Sequence, residues 1–180
     1  MKVLFLNACA RENSRTMVLA EEVLKNIDGE IKEIDLFSED LRPLDAQKIA
    51  TRLNNQQLQM YAKEFSLADV IVIAAPLWDL SFPALLKTYI ENVTIAGITF
   101  KYTENGPVGL CKAEKLYYIS TSGGKFVADY GYEYIKGLAL NLFGIKETKC
   151  FYAEDLDIWG NDVKTILEKS IKEISDYFIK

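Results

Sequence analysis

The sequence predicts an α/β domain in which helices cover both faces of a doubly wound, five-stranded parallel sheet. The first observation is the apolar run at residues 70–75, which is typical of a strand buried on both faces of such a sheet. The second is the alternation of strand-like runs with segments of helical periodicity along the chain. The third is a polar second strand, which suits an edge and favours the strand order 2-1-3-4-5 over 3-2-1-4-5-6.

Strands one and two are predicted from short runs near the start of the chain. Strand one covers residues 3–6, and a polar loop over residues 7–13 follows it. A helix then begins with Ser14 as its N-cap and stops at Asp28-Gly29. Alternating apolar and polar residues at 31–36 predict strand two. The remaining elements before strand three are a connection with one helical turn over residues 41–54 and a helix marked by Leu58, Tyr61 and Phe65.

Proline residues mark the end of strand three and the start of the next helix. Pro76 ends the strand because proline has no N–H group to donate to the sheet. Ser81 is predicted to cap the following helix, residues 84–93, and Pro83 to lie in its first turn. The loop between them, residues 77–80, therefore lies at the carboxyl end of a central strand, where open α/β sheets bind ligands.

An excursion from the regular alternation is predicted over residues 96–107. Ile98, Phe100 and Tyr102 alternate with polar residues, and Asn105-Gly106 is a turn signal. This pattern indicates an extended segment or a hairpin.

The last third of the chain supplies strands four and five. Strand four is predicted over residues 116–119, and the helix after it is closed by Gly144. Strand five covers residues 148–153. A final helix with one apolar face is capped by Asn161 or Asp162.

Composition excludes several classes of protein. The net charge is −5, and scattered basic residues argue against a nucleic-acid surface. No apolar run is long enough to cross a membrane, and the start is too short and too polar for a signal peptide.

The three separated cysteines indicate no disulfide framework and a cytoplasmic location. The chain has no histidine, which excludes Ser-His-Asp and Cys-His catalysis and most zinc sites, so no metal is expected.

The loops after strands one, three and four open at the same end of the predicted sheet. The first of these loops runs into a helix and contains Arg11, Ser14, Arg15 and Thr16. Helix N-terminal N–H groups, hydroxyls and guanidinium groups all suit a phosphate. The loop has no glycine, so neither the dinucleotide fingerprint nor the Walker A pattern matches. The alternative is an ordinary capped helix with solvated arginines.

The other two loops have features that suit a flat ring. The loop after strand three offers backbone N–H groups and the face of Trp78, although a tryptophan more often serves core packing. This loop consists of Pro76, Leu77, Trp78, Asp79 and Leu80. Glycines in the loop after strand four let the backbone come close to a ring edge, although an ordinary turn would also contain them. That loop consists of Thr121, Ser122, Gly123 and Gly124.

These loops and the excursion resemble one known family. Residues 96–110, AGITFKYTENGPVGL, are similar to the signature A-G-[VI]-T-F-[RK]-Y-T-E-N-G-P-x-G-L of the FMN-dependent NADH:quinone oxidoreductases, also called azoreductases. These enzymes have the flavodoxin-like fold. Residues 77–80 are similar to the M-Y-N-F flavin loop of the family, residues 121–124 to its S-R-G-G loop and residues 14–16 to its S-x-S phosphate loop.

The resemblance implies a single FMN-binding domain over residues 1–180, with the excursion at about residues 96–110 near the active site. FMN would be held tightly but non-covalently by the three loops, including Cys9. Phe100 and Tyr102 would form the substrate pocket; the alternative is that these two rings only pack the excursion onto the body of the domain. NADH or NADPH would give hydride to the flavin, and a quinone or azo compound would then take two electrons. No catalytic residue is implied, because the cofactor carries the chemistry. The pocket would be shared across a homodimer.

The chain departs from the family pattern at four positions. Cys9 stands where the family has a hydroxyl residue, and Asp79 replaces its asparagine. A carboxylate close to the ring would disfavour an anionic reduced flavin, so we expect Asp79 to use its backbone N–H and turn its side chain away, or to be held by a cation. Ser122 replaces an arginine and Leu80 a phenylalanine.

Two other functions compete with an enzyme. A flavodoxin-like electron carrier would be strongly acidic and would lack the excursion, so the modest charge and residues 96–110 favour the enzyme. A flavodoxin-like module that no longer binds FMN is the other alternative, and Asp79 and Cys9 are the residues that favour it.

Overall fold

Seven strands form one parallel sheet and one hairpin in the computed structural model, which describes residues 1–126 and 130–179. The predicted domain boundary at residue 180 lies just outside the described residues. The strands are β1 (Lys2–Asn7), β2 (Glu30–Asp35), β3 (Val70–Ala74), β4 (Phe100–Thr103), β5 (Gly106–Gly109), β6 (Lys115–Thr121) and β7 (Glu147–Ala153).

The parallel sheet has the order β2-β1-β3-β6-β7. With the hairpin strands β4 and β5 set aside, this is the predicted order 2-1-3-4-5, which is confirmed. Every residue of β3 is buried, and β3 pairs in parallel with β1 on one side and β6 on the other. Five consecutive apolar residues therefore lie where both faces of the sheet are covered. The polar strand β2 lies at an edge, as its sequence indicates.

Helices cover both faces of the sheet. They are α1 (Arg15–Lys25), α2 (Ala46–Thr51), α3 (Gln56–Leu67), α4 (Ala84–Val93), α5 (Tyr132–Leu138) and α6 (Val163–Ile179). A 3₁₀ turn, Arg52–Asn54, follows α2, and a π-helical segment, Ala139–Phe143, continues α5. Among the described residues, no helix has both the length and the apolar character needed to span a bilayer.

Alternate residues of each strand face opposite layers, because successive side chains of a strand point to opposite faces. Ile71 and Ile73 pack with residues of α3, α4 and α5. Val70 and Val72 pack with residues of α1 and α6. The predicted doubly wound arrangement, with helices on both faces, is thus confirmed.

The helix starts agree only in part with the sequence predictions. Ser14 caps α1, because its Oγ accepts a hydrogen bond from the N–H of Met17 at 3.3 Å. At the last helix the cap is Asp162, whose Oδ1 accepts from the N–H of Lys164 at 3.0 Å. The prediction that Ser81 caps α4 was wrong. Pro83 occupies the N-cap position, and no side chain caps this helix.

The excursion is an antiparallel hairpin of β4 and β5, with its turn at Glu104-Asn105. Its base is fixed to α4 by Thr99, whose Oγ1 donates to the carbonyl of Val93 at 3.0 Å. Gly109 packs directly on the π-helical segment, where a Cβ atom would lie 2.1 Å from the carbonyl carbon of Phe143. Only glycine allows the hairpin to approach this closely.

Candidate functional site

A cleft of about 600 Å³ opens at the carboxyl end of the parallel sheet. Its walls are the loops that follow β1, β3, β6 and β7, because the carboxyl ends of parallel strands meet at one edge of a sheet. The lining residues are Ala10, Arg11, Glu12, Asn13, Ser14, Arg15, Thr16, Pro76, Leu77, Trp78, Thr121, Ser122, Gly123, Leu156 and Asp157.

The structure brings together most of the predicted cofactor-binding residues. Those in the lining are Arg11, Ser14, Arg15, Thr16, Pro76, Leu77, Trp78, Thr121, Ser122 and Gly123. The other predicted residues lie beside the cleft without lining it, and these are Cys9, Asp79, Leu80 and Gly124. The three loops singled out in the sequence therefore do converge at one end of the sheet.

The start of α1 forms one end of the cleft. The first N–H groups of a helix have no partner within the helix, and here the hydroxyl of Ser14 satisfies only that of Met17. The N–H groups of Arg15 and Thr16 remain at the positive end of the helix dipole. Thr16 is buried, and its Oγ1 lies 2.6 Å from Oγ1 of Thr121. This hydrogen bond joins the loop after β1 to the end of β6.

The loop after β3 is closed by a tight turn. The N–H of Trp78 donates to the carbonyl of Ser81 at 2.8 Å, and the N–H of Ser81 donates back to the carbonyl of Trp78 at 2.9 Å. The two residues between them, Asp79 and Leu80, have φ of 50° and 67°. Two successive positive φ values are typical of a type I′ turn. The turn ends at Ser81, two residues before the N-cap position at Pro83, so Ser81 lies too early in the chain to cap α4.

Trp78 is the aromatic wall of the cleft, and 40% of its surface is exposed. Its ring contacts that of Phe37, which follows β2, with centroids 6.3 Å apart. Asp79 is exposed at the tip of the turn and its side chain is outside the cleft lining. The orientation of this carboxylate toward a bound flavin stays a prediction.

The loop after β6 is bonded along its length to the loop after β7. The N–H of Ser122 donates to the carbonyl of Ala153 at 3.0 Å, and the N–H of Asp157 donates to the carbonyl of Gly123 at 2.8 Å. The hydroxyl of Ser122 donates to the carbonyl of Gly124 at 2.5 Å, so it is engaged within its own loop. The two loops act as one wall.

Leu156 and Asp157 in this wall were not found by sequence reasoning. The Nη1 atom of Arg15 donates to the carbonyl oxygen of Leu156 at 3.0 Å and to Oδ1 of Asp157 at 2.7 Å. The available signal was topological, because Asp155-Leu156-Asp157 follow predicted strand five at the same end of the sheet as the other loops. The loop after β1 also contributes three lining residues that were not singled out, namely Ala10, Glu12 and Asn13.

Cys9 is a half-buried filler beside the cleft. Its Sγ lies 3.8 Å from the carbonyl oxygen of Ala74. Burial raises the pKa of this thiol, the hydrogen bond with Ser14 opposes that shift, and the nearby carboxylates of Asp35 and Glu33 raise the pKa further. The thiol is therefore protonated at neutral pH and is not an activated nucleophile.

The predicted substrate-pocket residues lie on the hairpin and do not line the cleft of their own chain. Phe100 is buried, whereas 75% of the surface of Tyr102 is exposed. Their rings meet edge to face with centroids 5.2 Å apart. In residues 1–126 and 130–179, no cluster of three or more cysteine, aspartate or glutamate side chains is arranged to hold a metal ion.

Comparison with known proteins shows the family. The family model described as a flavodoxin-like fold matches residues 1–178. An FMN-dependent NADH:quinone oxidoreductase of Clostridium beijerinckii is 37% identical over 193 aligned positions, which cover 97% of this chain and 96% of the relative. A protein of the same name from Coprothermobacter proteolyticus is 34% identical, with 96% and 95% covered.

Solved structures have the same fold. The crystal structure of an azoreductase from Bacillus anthracis superposes with a TM-score of 0.86 at 25% identity, covering 99% of this chain and 98% of that one. The crystal structure of an FMN-dependent NADH-azoreductase from the same species, in complex with FMN, superposes with a TM-score of 0.83 at 24% identity, covering 99% and 97%. This chain therefore belongs to the family of FMN-dependent NADH:quinone oxidoreductases and azoreductases, which have the flavodoxin-like fold.

Proposed function

We propose that this chain binds FMN in the cleft and catalyses two-electron transfer from NADH or NADPH to quinones or aromatic azo compounds. The observation that carries the proposal is the convergence of a phosphate-type helix start, an aromatic wall and a glycine-containing loop around one cleft. The names of relatives that match nearly the whole chain support it.

The size of the cleft fits the cofactor. Ligand pockets are typically about 300–1,000 Å³, and the cleft of about 600 Å³ lies within that range. The start of α1 suits the phosphate group, with the N–H groups of Arg15 and Thr16, the hydroxyl of Ser14 and the guanidinium groups of Arg11 and Arg15. We propose that these groups bind the phosphate.

The other end of the cleft fits a flat ring. Trp78 supplies an aromatic face to the cleft. The indole ring of Trp78 is itself packed against Phe37, which does not line the cleft. The N–H of Leu77 donates to the carbonyl of Thr121 at 2.9 Å, which fixes the loop after β3 against the end of β6. The backbone of Gly123 lines the cleft without a side chain between it and a ligand.

Bound FMN would supply the two-electron chemistry, and the protein would supply binding and orientation. The sequence has no histidine, and the one thiol beside the cleft, that of Cys9, has a raised pKa. The role of the chain is therefore to hold the ring, exclude water from one face and leave the other face open to substrate.

The position of the hairpin favours a homodimer. Phe100 and Tyr102 do not line the cleft of their own chain, so a role in the substrate pocket requires a cleft supplied by a second copy. The exposed ring of Tyr102 is suited to such a contact, because exposed aromatic side chains often mark interfaces. We propose a cytoplasmic homodimer, and the three cysteines, which are far apart in the sequence, suit that reducing compartment.

The experiment is anaerobic reduction of the FMN-loaded protein by NADH or NADPH, followed by reoxidation with quinones and azo dyes. The proposal predicts bleaching of the flavin absorbance by at least one nicotinamide and rapid recovery with a quinone or azo acceptor. Bleaching that recovers only with a one-electron protein acceptor would instead indicate an electron carrier. A chain that is colourless and takes up no added FMN would indicate a module without cofactor.

A further inference from the structure

The strongest unexplained feature of the cleft is the ion pair between Arg15 and Asp157. Arg15 begins α1, whereas Asp157 lies in the loop after β7, so the pair crosses one end of the cleft. The Nη1 atom of Arg15 lies 2.7 Å from Oδ1 of Asp157, and the same atom donates to the carbonyl oxygen of Leu156 at 3.0 Å. One of the two guanidinium groups that line the cleft is thus already bonded to a carboxylate.

Backbone hydrogen bonds fix the segment that carries Asp157. The N–H of Asp157 donates to the carbonyl of Gly123 at 2.8 Å, and the N–H of Leu156 donates to the carbonyl of Ser122 at 3.2 Å. A Cβ atom on Gly123 would lie 2.5 Å from Oδ2 of Asp157, so the missing side chain makes room for the carboxylate. Asp157 is therefore a built part of the wall.

The charges that line the cleft cancel. Arg11 and Arg15 contribute two positive charges, and Glu12 and Asp157 contribute two negative charges. A phosphate group with up to two negative charges would enter a site with no net positive charge among its lining side chains. The pair itself is partly solvated, with 40% of the Arg15 side chain and 69% of the Asp157 side chain exposed. Such exposed pairs are weak, so another anion can displace the carboxylate.

We propose that Asp157 is a specificity-determining residue of the cleft, because its carboxylate competes with the phosphate of FMN for the guanidinium of Arg15. This inference rests on the proposed FMN site. Asp157 then limits the preference of the chain for phosphorylated over unphosphorylated flavin. Removing its charge weakens the hold of residue 157 on Arg15 and leaves the guanidinium freer to donate to the phosphate.

The substitution Asp157→Asn separates charge from geometry. The asparagine keeps an oxygen at the position of Oδ1, and the carbonyl of Leu156 still accepts from Arg15, so the guanidinium stays in place. Asp155→Asn is the matched control, because it removes the same charge from the same loop at a residue that does not line the cleft. Thermal unfolding of each cofactor-free variant checks that the fold is kept.

The experiment is titration of the flavin-free protein with FMN and, separately, with riboflavin, followed by fluorescence quenching. For Asp157→Asn we expect about tenfold tighter binding of FMN and unchanged binding of riboflavin, because the guanidinium of Arg15 then gains a charge-assisted hydrogen bond to the phosphate, which riboflavin lacks. Asp155→Asn should change neither affinity by more than about twofold, because Asp155 does not line the cleft. In an Arg15→Gln background the gain from Asp157→Asn should fall to about twofold or less.

Several results would overturn the inference. Unchanged or weaker FMN binding by Asp157→Asn would show that the carboxylate does not compete for Arg15. An equal gain in the Arg15→Gln background would show direct repulsion of the phosphate in place of competition. Failure of the parent chain to bind FMN would overturn the proposed function as well. If the parent binds FMN but Asp157→Asn has the same preference for FMN over riboflavin as the parent, this inference alone is overturned.

Discussion

Hydrogen bonds between individual side chains join the loops that form the cleft. The clearest is the buried contact between the hydroxyls of Thr16 and Thr121, with oxygens 2.6 Å apart. Thr16 belongs to α1 and Thr121 to the end of β6, so this one bond links two walls of the cleft. A buried hydroxyl that loses its only partner keeps its desolvation penalty without compensation.

Thr16→Val should destabilise the fold by about 1–3 kcal/mol, because it leaves Thr121 buried and unpaired. The double variant Thr16→Val with Thr121→Val should lose clearly less than the sum of the two single variants, since both hydroxyls are then gone. Urea unfolding measures each free energy, and Thr51→Val on the exposed surface of α2 is the control. Strict additivity of the two single effects would show that the hydroxyls are not coupled.

Cys111 should make stability depend on pH in the alkaline range. Burial raises the pKa of this thiol from 9.0 to about 12. Below pH 9 the thiol is protonated in both the folded and the unfolded state. Above pH 9 the thiol loses its proton in the unfolded state but keeps it in the folded state, so the free energy of unfolding falls as the pH rises. Relative to Cys111→Ala, the parent should lose roughly 1–2 kcal/mol between pH 8 and 10.5 by urea unfolding. A difference that is constant across this range would contradict the raised pKa.

At the scale of elements, the hairpin of β4 and β5 depends on one close backbone contact. Gly109 lies so near Phe143 that an added Cβ would be 2.1 Å from the carbonyl carbon. The N–H of Cys111 donates to the carbonyl of Phe143 at 3.2 Å, which fixes the same junction. The position of the hairpin is therefore set by its contact with the π-helical segment.

Gly109→Ala should destabilise the protein by about 1–3 kcal/mol, because the backbones at Gly109 and Phe143 must separate to admit the methyl group. Gly137→Ala is the matched control, since no atom lies within 4 Å of its added Cβ, and it should be neutral or stabilising by up to about 1 kcal/mol. Chemical denaturation of the two variants side by side gives the comparison. Equal stabilities would show that the contact at Gly109 relaxes without strain.

Strands and most helices could be predicted from local sequence, but two features of the site could not. The run at β3, the polar edge at β2 and the cap Ser14 are each encoded within a few residues. The turn before α4 was missed because Leu80 adopts positive φ without a glycine to signal it, at a strain of about 1–2 kcal/mol. The pair of Arg15 with Asp157 joins residues 142 positions apart, beyond any local pattern.

At the scale of the whole molecule, topology assembles the cleft. The order β2-β1-β3-β6-β7 places the ends of four strands side by side, so loops from distant parts of the chain meet. The strand order could be predicted from the sequence, which is why three of the four walls were found. The fourth wall was missed because the residues after predicted strand five contain no recognisable binding motif.

The proposed homodimer gives a prediction at this scale. Light scattering coupled to size-exclusion chromatography should give a mass of twice the 20.4 kDa chain. Tyr102→Ala should raise the KM for a quinone severalfold without changing FMN affinity, because that ring would contact substrate across the interface. A monomer that turns over quinones normally would contradict both parts, and a Tyr102→Ala dimer with unchanged KM would contradict the pocket alone.

The central claim, that the start of α1 binds the phosphate of FMN, is tested most directly by equilibrium titration of the flavin-free chain with FMN. The parent should bind one FMN per chain. The double variant Ser14→Ala with Arg15→Ala should bind it more weakly by roughly 2–4 kcal/mol, from lost charged hydrogen bonds. An unchanged affinity in the double variant would contradict the claim and leave this helix start as an ordinary cap.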